Sequence, residues 1–378
     1  MATITTNPQL PATMRALVRT GNAQPLQLQE VPTPTPIHGS IVVKILHATM
    51  DVSVTRIISG HTPFTYPFPN TPGARAIGRV AATGPDTTSF SIGQLVMLEP
   101  ALRSRDNKDV IYLWSFHDGW TSTGRKFIED NWRQGLFAEY ARCPLENCWA
   151  LDEQALCTQL GYSTAELSAI SLYPIAFAGF RNVKLMAGET VVVAPATGSY
   201  SGAAVGLAVA MGANVIAAGR NVDVLEKLRA THGERVKIVQ LKGDAEADSS
   251  AFKEQLGRPV DVFIDVSPPQ ASGSTIVRSG LMALGPYGRA VLMGFISDDN
   301  IAVPYSHAVA NNLTIRAQFM YHAADVRGLL RLFESGILKL GKSGGVEVVG
   351  EFKLEEHEKA GKAAIENPQF GKLVVLSP

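Results

Sequence analysis

The alternation of apolar and polar positions divides the chain into two regimes. From Met14 to Val43 it is short and broken, interrupted by V-P-T-P-T-P (Val31–Pro36), and predicts brief strands. Ile41–Ala48 is the first strong strand. Ala76–Ala82 and Gln94–Glu99 follow, separated by the turn Thr83-Gly84-Pro85-Asp86. Short strands punctuated by Gly and Pro predict a β-rich, barrel-like region. Ala101–Gln134 departs from this pattern. It is charged, carries Trp114, Trp120 and Trp132, and reads as a long excursion before Phe137–Tyr140 restores strand periodicity.

From about Ser163 the alternation becomes regular. Leu167–Arg181 is predicted helical. Strands are predicted at Thr190–Ala194, Val215–Ala218, Val236–Leu241, Val260–Val266, Arg289–Phe295 and Leu313–Phe319, with helices such as Gly202–Met211, Val224–Thr231 and Thr275–Leu284 between them. Strands buried on both faces read as near-continuous apolar runs, so this series predicts a parallel, doubly wound α/β sheet. After Asp325 come a helix, a strand near Val346–Val349, a helix near Glu355–Ile365 and a strand at Lys372–Leu376. This tail is expected to return to the first region. There is no internal repeat.

Composition acts mainly by exclusion. A chain of 378 residues suggests two domains. With 46% apolar and 18% charged residues and zero formal net charge, nucleic acid and anionic membranes are not expected partners. No apolar run approaches the roughly 18 residues of a membrane span. Met1–Pro11 is polar without an apolar core and is expected to be a loose leader, not a secretory signal. Leu376-Ser377-Pro378 is not a peroxisomal address. Cys143, Cys148 and Cys157 are odd in number and fit no zinc-ribbon spacing, as expected of reduced thiols in a cytoplasmic protein.

The candidate chemistry centres on Val191–Asn221: an apolar strand, the turn A-P-A-T-G-S-Y-S-G, an apolar helix, and a second strand ending in G-R-N. Small residues let backbone approach a pyrophosphate at a helix N-terminus, and the residue closing the second strand meets the adenosine ribose. The glycine register is imperfect, with Pro195, Gly198 and Ser201 in the three positions and Gly202 one step late. Thr197, Gly198, Ser199, Tyr200 and Ser201 are the candidate phosphate turn, and Gly219, Arg220 and Asn221 the candidate ribose site. An acid there would repel a 2′-phosphate. Arg220 offers a cationic fork and Asn221 an extra donor, which favours NADPH. Two alternatives stay open: Arg220 stacking only on adenine, and Asp223 turning in to favour NAD.

Taken in order, V-K-I-L-H-A-T (43–49), P-G-A-R-A-I-G-R-V (72–80), G-L-F-A-E-Y (135–140), A-T-G (196–198), A-M-G-A-N-V-I-A-A-G-R-N (210–221) and G-P-Y-G-R-A-V-L-M-G-F (285–295) resemble the medium-chain dehydrogenase/reductase superfamily over about residues 14–378, in its zinc-lacking, alcohol dehydrogenase-like or quinone oxidoreductase-like branch. The resemblance implies a GroES-like catalytic domain (1–165 and 323–378) interrupted by a Rossmann domain (166–322). It also implies an active site in the cleft between them and a homodimer joined through the Rossmann sheets. By family position, Ser267, Gly294 and Phe295 meet the nicotinamide carboxamide.

The departures from the family pattern are specific. Where zinc-dependent members place a Cys, this chain has Asp51; their Gly-His-Glu is Gly73-Ala74-Arg75; their third ligand falls near Ser171. The structural-zinc cysteines are replaced by the Trp-rich excursion. No zinc is therefore expected. Asp51 and Arg75 are expected either to pair with each other or to point into solvent. Ser53, by family position, becomes the hydroxyl near the reacting oxygen, with Arg56 and His47 as alternatives, His47 more in keeping with a structural role. Without a Lewis acid, hydride addition to an enone, enoyl or quinone C=C is favoured. Metal-free carbonyl reduction and a catalytically silent NADPH-binding protein are the alternatives. Trp114, His117 and Trp120 of W-S-F-H-D-G-W are expected either to shape a pocket for an apolar, small-molecule substrate, with His117-Asp118 as an acid pair, or to anchor the loop or pack a dimer interface. Tyr173 and Tyr321 join the substrate pocket by family position. His232 and His357 are expected in solvated segments.

Overall fold

A computed structural model describes residues 9–62, 64–107, 111–119, 121–296 and 300–378; Trp120 lies outside these. The chain forms two units, Met1–Ser171 with Glu347–Pro368 and Leu373–Pro378, and Leu172–Val346 with Gln369–Lys372.

In the first unit β1 (Thr13–Val18) and β2 (Gln27–Pro32) make an antiparallel ribbon. β3 (Ser40–Met50) leads into the short helix α1 (Val52–Ile58), then β4 (Ala76–Thr83) and β5 (Leu95–Leu98). The excursion holds a small ribbon, β6 (Ala101–Arg103) with β7 (Ile111–Leu113), and helix α2 (Ser122–Phe127). β8 (Tyr140–Pro144), β9 (Cys148–Ala150) and α3 (Thr164–Leu167) complete this part of the chain.

The second unit runs α4 (Pro174–Asn182), β10 (Thr190–Ala194), α5 (Ser199–Ala210), β11 (Asn214–Gly219), α6 (Val222–His232), β12 (Val236–Gln240), α7 (Ala245–Glu254) and β13 (Val260–Asp265). It continues through α8 (Ile276–Ala283), β14 (Leu284–Leu292), α9 (Tyr305–Ala310), β15 (Thr314–Ala317) and α10 (Ala323–Glu334). The chain returns to the first unit with β16 (Glu347–Phe352), α11 (His357–Glu366) and β17 (Lys372–Leu376).

The first unit's sheet has the order β16-β17-β3-β4-β5-β9, with β8 also on β3. The second unit's sheet has the order β12-β11-β10-β13-β14-β15, every neighbouring pair parallel. β10, at the switch point of that order, is buried at all its positions, and a dinucleotide fold binds its ligand outside the carboxyl end of such a strand.

Three elements differ from the sequence expectation for local physical reasons. The expected helix over Leu167–Arg181 is split: a 3-10 turn at Ser168–Leu172 precedes α4, which starts at Pro174. Proline suits a first helical position but disfavours helical backbone just before it. The strand expected at Phe137 begins at Tyr140, because the N–H groups of Gly135, Leu136 and Phe137 donate instead to Thr71, Gly73 and Pro72 carbonyls. The return to the first unit occurs after Val346, not at 323. Helix α10 belongs to the second unit because it packs on α4, with Phe333 edge-on to Tyr173 at 5.1 Å and Asp325 bonded to Arg181 at 2.7 Å.

Candidate functional site

In the first unit the site is built by strand register. Ala48 of β3 pairs with Ala76 of β4, and one step further out Thr49 N–H donates to Arg75 O at 2.9 Å. Asp51 and Arg75 are thereby neighbours at the same end of the sheet. Asp51 is the N-cap of α1: its Oδ1 accepts from Val54 N–H at 2.9 Å, and its Oδ2 accepts from Arg75 Nη2. Of the two expectations for these residues, the geometry is that of the pair, with only 6% of the Arg75 and 18% of the Asp51 side chain exposed. The Arg75 guanidinium also lies 5.8 Å from the Phe116 ring centroid. Gly73 takes φ +98°, and a Cβ there would stand 2.5 Å from Phe137 Cδ1, so only glycine lets the 71–73 segment lie against 135–137 and present Arg75. Ser53 is exposed on the first turn of α1, and Arg56 is half-buried on its last.

His47 is engaged at both ring nitrogens. The Ser377 hydroxyl donates to Glu351 Oε1 at 2.8 Å, so at 2.8 Å from His47 Nδ1 it accepts the ring proton. Nε2 then accepts from Thr164 Oγ1 at 2.9 Å. Burial lowers the imidazole's pKa, partly opposed by Glu351.

In the excursion, Trp114 follows the loop-anchoring alternative, and His117 and Asp118 have separate partners. Trp114 is fully buried and its Nε1 donates to Gln134 O at 3.1 Å, which anchors the loop in the core. His117 and Asp118 are not an acid pair. Asp118, 1% exposed, accepts from Thr65 Oγ1 at 2.9 Å and Arg125 Nε at 3.1 Å. His117 Nδ1 accepts from Gly119 N–H at 3.1 Å, its ring packs against Phe64, and burial drops its pKa to about 4 against the opposing pull of Asp118. It is therefore neutral near pH 7. Phe116, not singled out from the sequence, is a described excursion residue that reaches Arg75 of the pair.

In the second unit, β10 feeds the turn 195–198 and helix α5. Gly198, the N-cap, donates its N–H to Ser201 Oγ at 3.2 Å, which gives Ser201 a local role at the imperfect glycine position. Gly219 ends β11, where a Cβ would stand 2.7 Å from Thr197 Cγ2, so its absence lets the turn lie against the strand end. Arg220 is exposed. Asn221 Oδ1 accepts from Val224 N–H at 3.2 Å, so its side-chain oxygen caps α6. Asp223, also exposed, sits in that helix's first turn, where a carboxylate is favoured by the dipole.

The strand ends expected to meet the carboxamide are organised by Asp265, a residue missed from the sequence. Its Oδ1 accepts from Ser267 N–H at 3.1 Å and from the Ser267 hydroxyl, and its Oδ2 from Gly294 N–H at 3.2 Å. Phe295 N–H goes to Ser267 O at 2.9 Å. These N–H groups are thus engaged inside the protein. Burial raises the Asp265 carboxyl pKa, and the Ser267 and Gly294 bonds oppose that rise. The detectable signal was an acid closing the apolar strand V-D-V-F-I-D. Tyr173 and Tyr321 are buried, 1% and 4% exposed, Tyr173 as a core partner of Phe333. His232 was expected in solvent but packs against Gly206, and burial lowers its pKa to about 4.

Among the described residues no group of three or more His, Cys, Asp or Glu is placed to hold a metal ion, and no helix is long and apolar enough to cross a membrane. Residues 38–153 match the family model of the alcohol dehydrogenase GroES-like domain, and residues 201–335 that of the zinc-binding dehydrogenases. The acryloyl-coenzyme A reductase of Metallosphaera sedula is 22% identical over 96% of this chain and 100% of its own length. The crystal structure of AibC superposes with a TM-score of 0.78 at 21% identity, covering 97% of this chain and 96% of that one. The short chain alcohol dehydrogenase rspB of Escherichia coli CFT073, solved with NADH, gives 0.76 at 20% identity over 97% of this chain and 100% of that one. At these identities the structural matches establish the shared fold.

Proposed function

The chain belongs to the medium-chain dehydrogenase/reductase superfamily, and from that premise we propose that it is a zinc-independent, NADPH-dependent reductase of an activated C=C in a small apolar substrate. It is an NAD(P)H-dependent oxidoreductase. The reaction is the proposal, and the observation that carries it is the Asp51–Arg75 pair. A catalytic zinc needs three ligands of Cys, His or carboxylate type. Asp51 already satisfies Val54 N–H and Arg75, the guanidinium repels a cation, and Ser171 Oγ donates to Ser168 O at 2.8 Å. This donor set does not fit zinc.

A reductase without a Lewis acid must hold the developing oxyanion with hydrogen bonds. The exposed Ser53 hydroxyl is the group assigned to that task, while Asp51 and Arg75 hold the α1 N-terminus that carries it. Conjugate addition spreads negative charge over carbon and oxygen, so one neutral donor suffices better for an enone, enoyl or quinone than for an isolated ketone. The acryloyl-coenzyme A reductase names among the relatives support an enoyl-type acceptor.

The cofactor fits the second unit. Gly219 lets the Thr197 turn lie against the end of β11, Gly198 opens α5 beside Ser201, and Arg220 stands exposed where a 2′-phosphate would need a cation. When bound, the nicotinamide supplies the hydride. Thr197–Ser201 would hold the phosphates, and Asp265 fixes the Ser267 and Gly294 backbone. A homodimer is part of the reading: β15 is one of the sheet's two edge strands, exposed at every position, and Tyr305, Val309 and Phe319 near it in the chain are exposed too. We place the enzyme in the cytoplasm, in keeping with its three free cysteines.

The test is anaerobic turnover of NADPH with a conjugated enone, followed by product chromatography. Saturated ketone is expected. Allylic alcohol replaces the reading with direct carbonyl reduction, and saturable NADPH binding without turnover of enones, enoyl thioesters, quinones or ketones replaces it with a silent binding protein.

A further inference from the structure

The segment Gln369–Gly371, far along the chain from the dinucleotide turn, is fastened to it. Phe370 N–H donates to Thr197 O at 3.0 Å, and Gly198 and Gln369 form an isolated antiparallel bridge. A trans peptide carries its C=O and N–H on opposite sides. Drawing the Thr197 carbonyl toward Phe370 therefore turns the Gly198 N–H the other way, where it meets Ser201 Oγ at 3.2 Å. One bond from Phe370 sets the plane of the central peptide in the candidate phosphate turn.

The Phe370 side chain has its own socket and is 3% exposed. A Cβ on Gly202 of α5 would stand 2.3 Å from both Phe370 Cβ and Cγ. A Cβ on Gly345 would stand 3.4 Å from Phe370 Cε1 and 3.1 Å from Thr231 Cγ2 of α6. Gly371 then leaves at φ +92°, with Gly345 O and Lys227 Nζ each 2.8 Å from where its Cβ would be. The late glycine of the sequence motif, Gly202, thus makes room for a phenylalanine and not for a pyrophosphate.

We propose that Phe370 is a positioning residue for the dinucleotide: seating Gln369–Gly371 against α5 orients the Thr197–Gly198 peptide, so cofactor binding and seating of this segment depend on each other. This rests on the assignment of 197–201 as the cofactor turn. Linkage makes the dependence reciprocal, since a cofactor that favours the seated turn must also favour the seated segment.

The experiment uses the full-length protein and NADPH. Hydrogen exchange of peptides covering 369–372 is measured with and without saturating cofactor, and NADPH is titrated into wild type, Phe370→Ala, Phe370→Leu and Gly202→Ala. Exchange at 369–372 is expected to slow on binding. Phe370→Ala and Gly202→Ala are each expected to raise Kd about tenfold, within the range usual for coupled sites. Phe370→Leu should recover most of the affinity, and kcat at saturating NADPH should be unchanged. Gly202→Ala and Phe370→Ala together should raise Kd by less than the product of their single effects, because the approach to Phe370 Cγ and the ring is gone while the approach to the Cβ at 370 remains. If wild type binds NADPH but exchange is unchanged and the folded variants bind as wild type does, this inference falls alone. If wild type binds neither NADPH nor NADH, the cofactor assignment falls and takes the inference with it. Should Phe370→Ala fail to fold, the exchange comparison and the leucine variant decide.

Discussion

Replacing Asp51 by asparagine separates the two tasks of its carboxylate. Asparagine is as good an N-cap as aspartate, so the bond from Val54 N–H to position 51 is retained. The charge opposite Arg75 is lost. Arg75 is then a guanidinium with 6% of its side chain exposed and its carboxylate partner gone. Removing one member of a buried pair costs about 3–5 kcal/mol, because the remaining charge stays desolvated. The low end, about 3 kcal/mol, applies where solvent still reaches part of the pair, and the Asp51 side chain is 18% exposed. For a unit of this size each kcal/mol moves Tm by about 2–4 °C, so Asp51→Asn should melt about 6–12 °C lower. Asp51→Ala should lose about 1 kcal/mol more with the cap. Arg75→Met should cost less than Asp51→Asn, since it removes the buried cation, and the double variant should be more stable than the sum of the single losses predicts. The assay is thermal melting by circular dichroism, read alongside enone-dependent NADPH oxidation. An Asp51→Asn protein within 1 °C of wild type, or strict additivity in the double variant, refutes the claim that the pair holds this end of the sheet.

Arg220→Asp should lower kcat/KM for NADPH and favour NADH, by about tenfold to a hundredfold in their ratio, the worth of a charge-assisted hydrogen bond of about 1.5–3 kcal/mol. An unchanged ratio removes Arg220 from phosphate recognition. His117 and His232 both have native pKa values lowered to about 4 from 6.5, so the native state binds fewer protons than the unfolded chain. Their contribution to stability is present above about pH 6.5, declines as pH falls, and is gone below about 4. Urea midpoints should fall through that window in wild type, and less steeply in a His117→Asn/His232→Asn variant; equal slopes contradict the assignment. Ile315→Lys on the exposed edge strand should convert a dimer to a monomer in size-exclusion chromatography, and a monomeric wild type ends that reading.

Much of the fold was legible because it rests on local pattern. β10 and β17 have the bounds their apolar runs predict, and the remaining Rossmann strands depart by a few residues at most, apart from the start of β14. The failures have local causes. The chain around 167–181 looks uniformly helical in hydrophobicity, yet Pro174 forces a fresh start. Tryptophan in a polar excursion looks like a pocket residue, but a large ring with one N–H is equally suited to a buried anchor with one carbonyl partner, which is what Trp114 became. Asp265 was overlooked because its value lies in three donors that come from residues after two different strands.

The two sites also show why departures from a motif have to be interpreted in pairs. Asp51 alone is a lost ligand and Arg75 alone is an intrusion; β3–β4 register makes them one ion pair that holds a helix N-terminus. Ser201 and Gly202 alone look like a degraded glycine signature. With Phe370 in place they are separate devices, one accepting the Gly198 N–H and the other clearing space for a ring. In both cases the second member of the pair comes from a remote part of the chain, and its chemistry decides what the first can do. The Asp51 carboxylate is already engaged by Arg75 and Val54 N–H, and the space beside Gly202 is taken by the Phe370 ring. Under the proposed function the Ser53 hydroxyl in the first unit and the Arg220 guanidinium in the second, both exposed, are offered to the ligands together with the 197–201 turn, and each is testable by a single substitution.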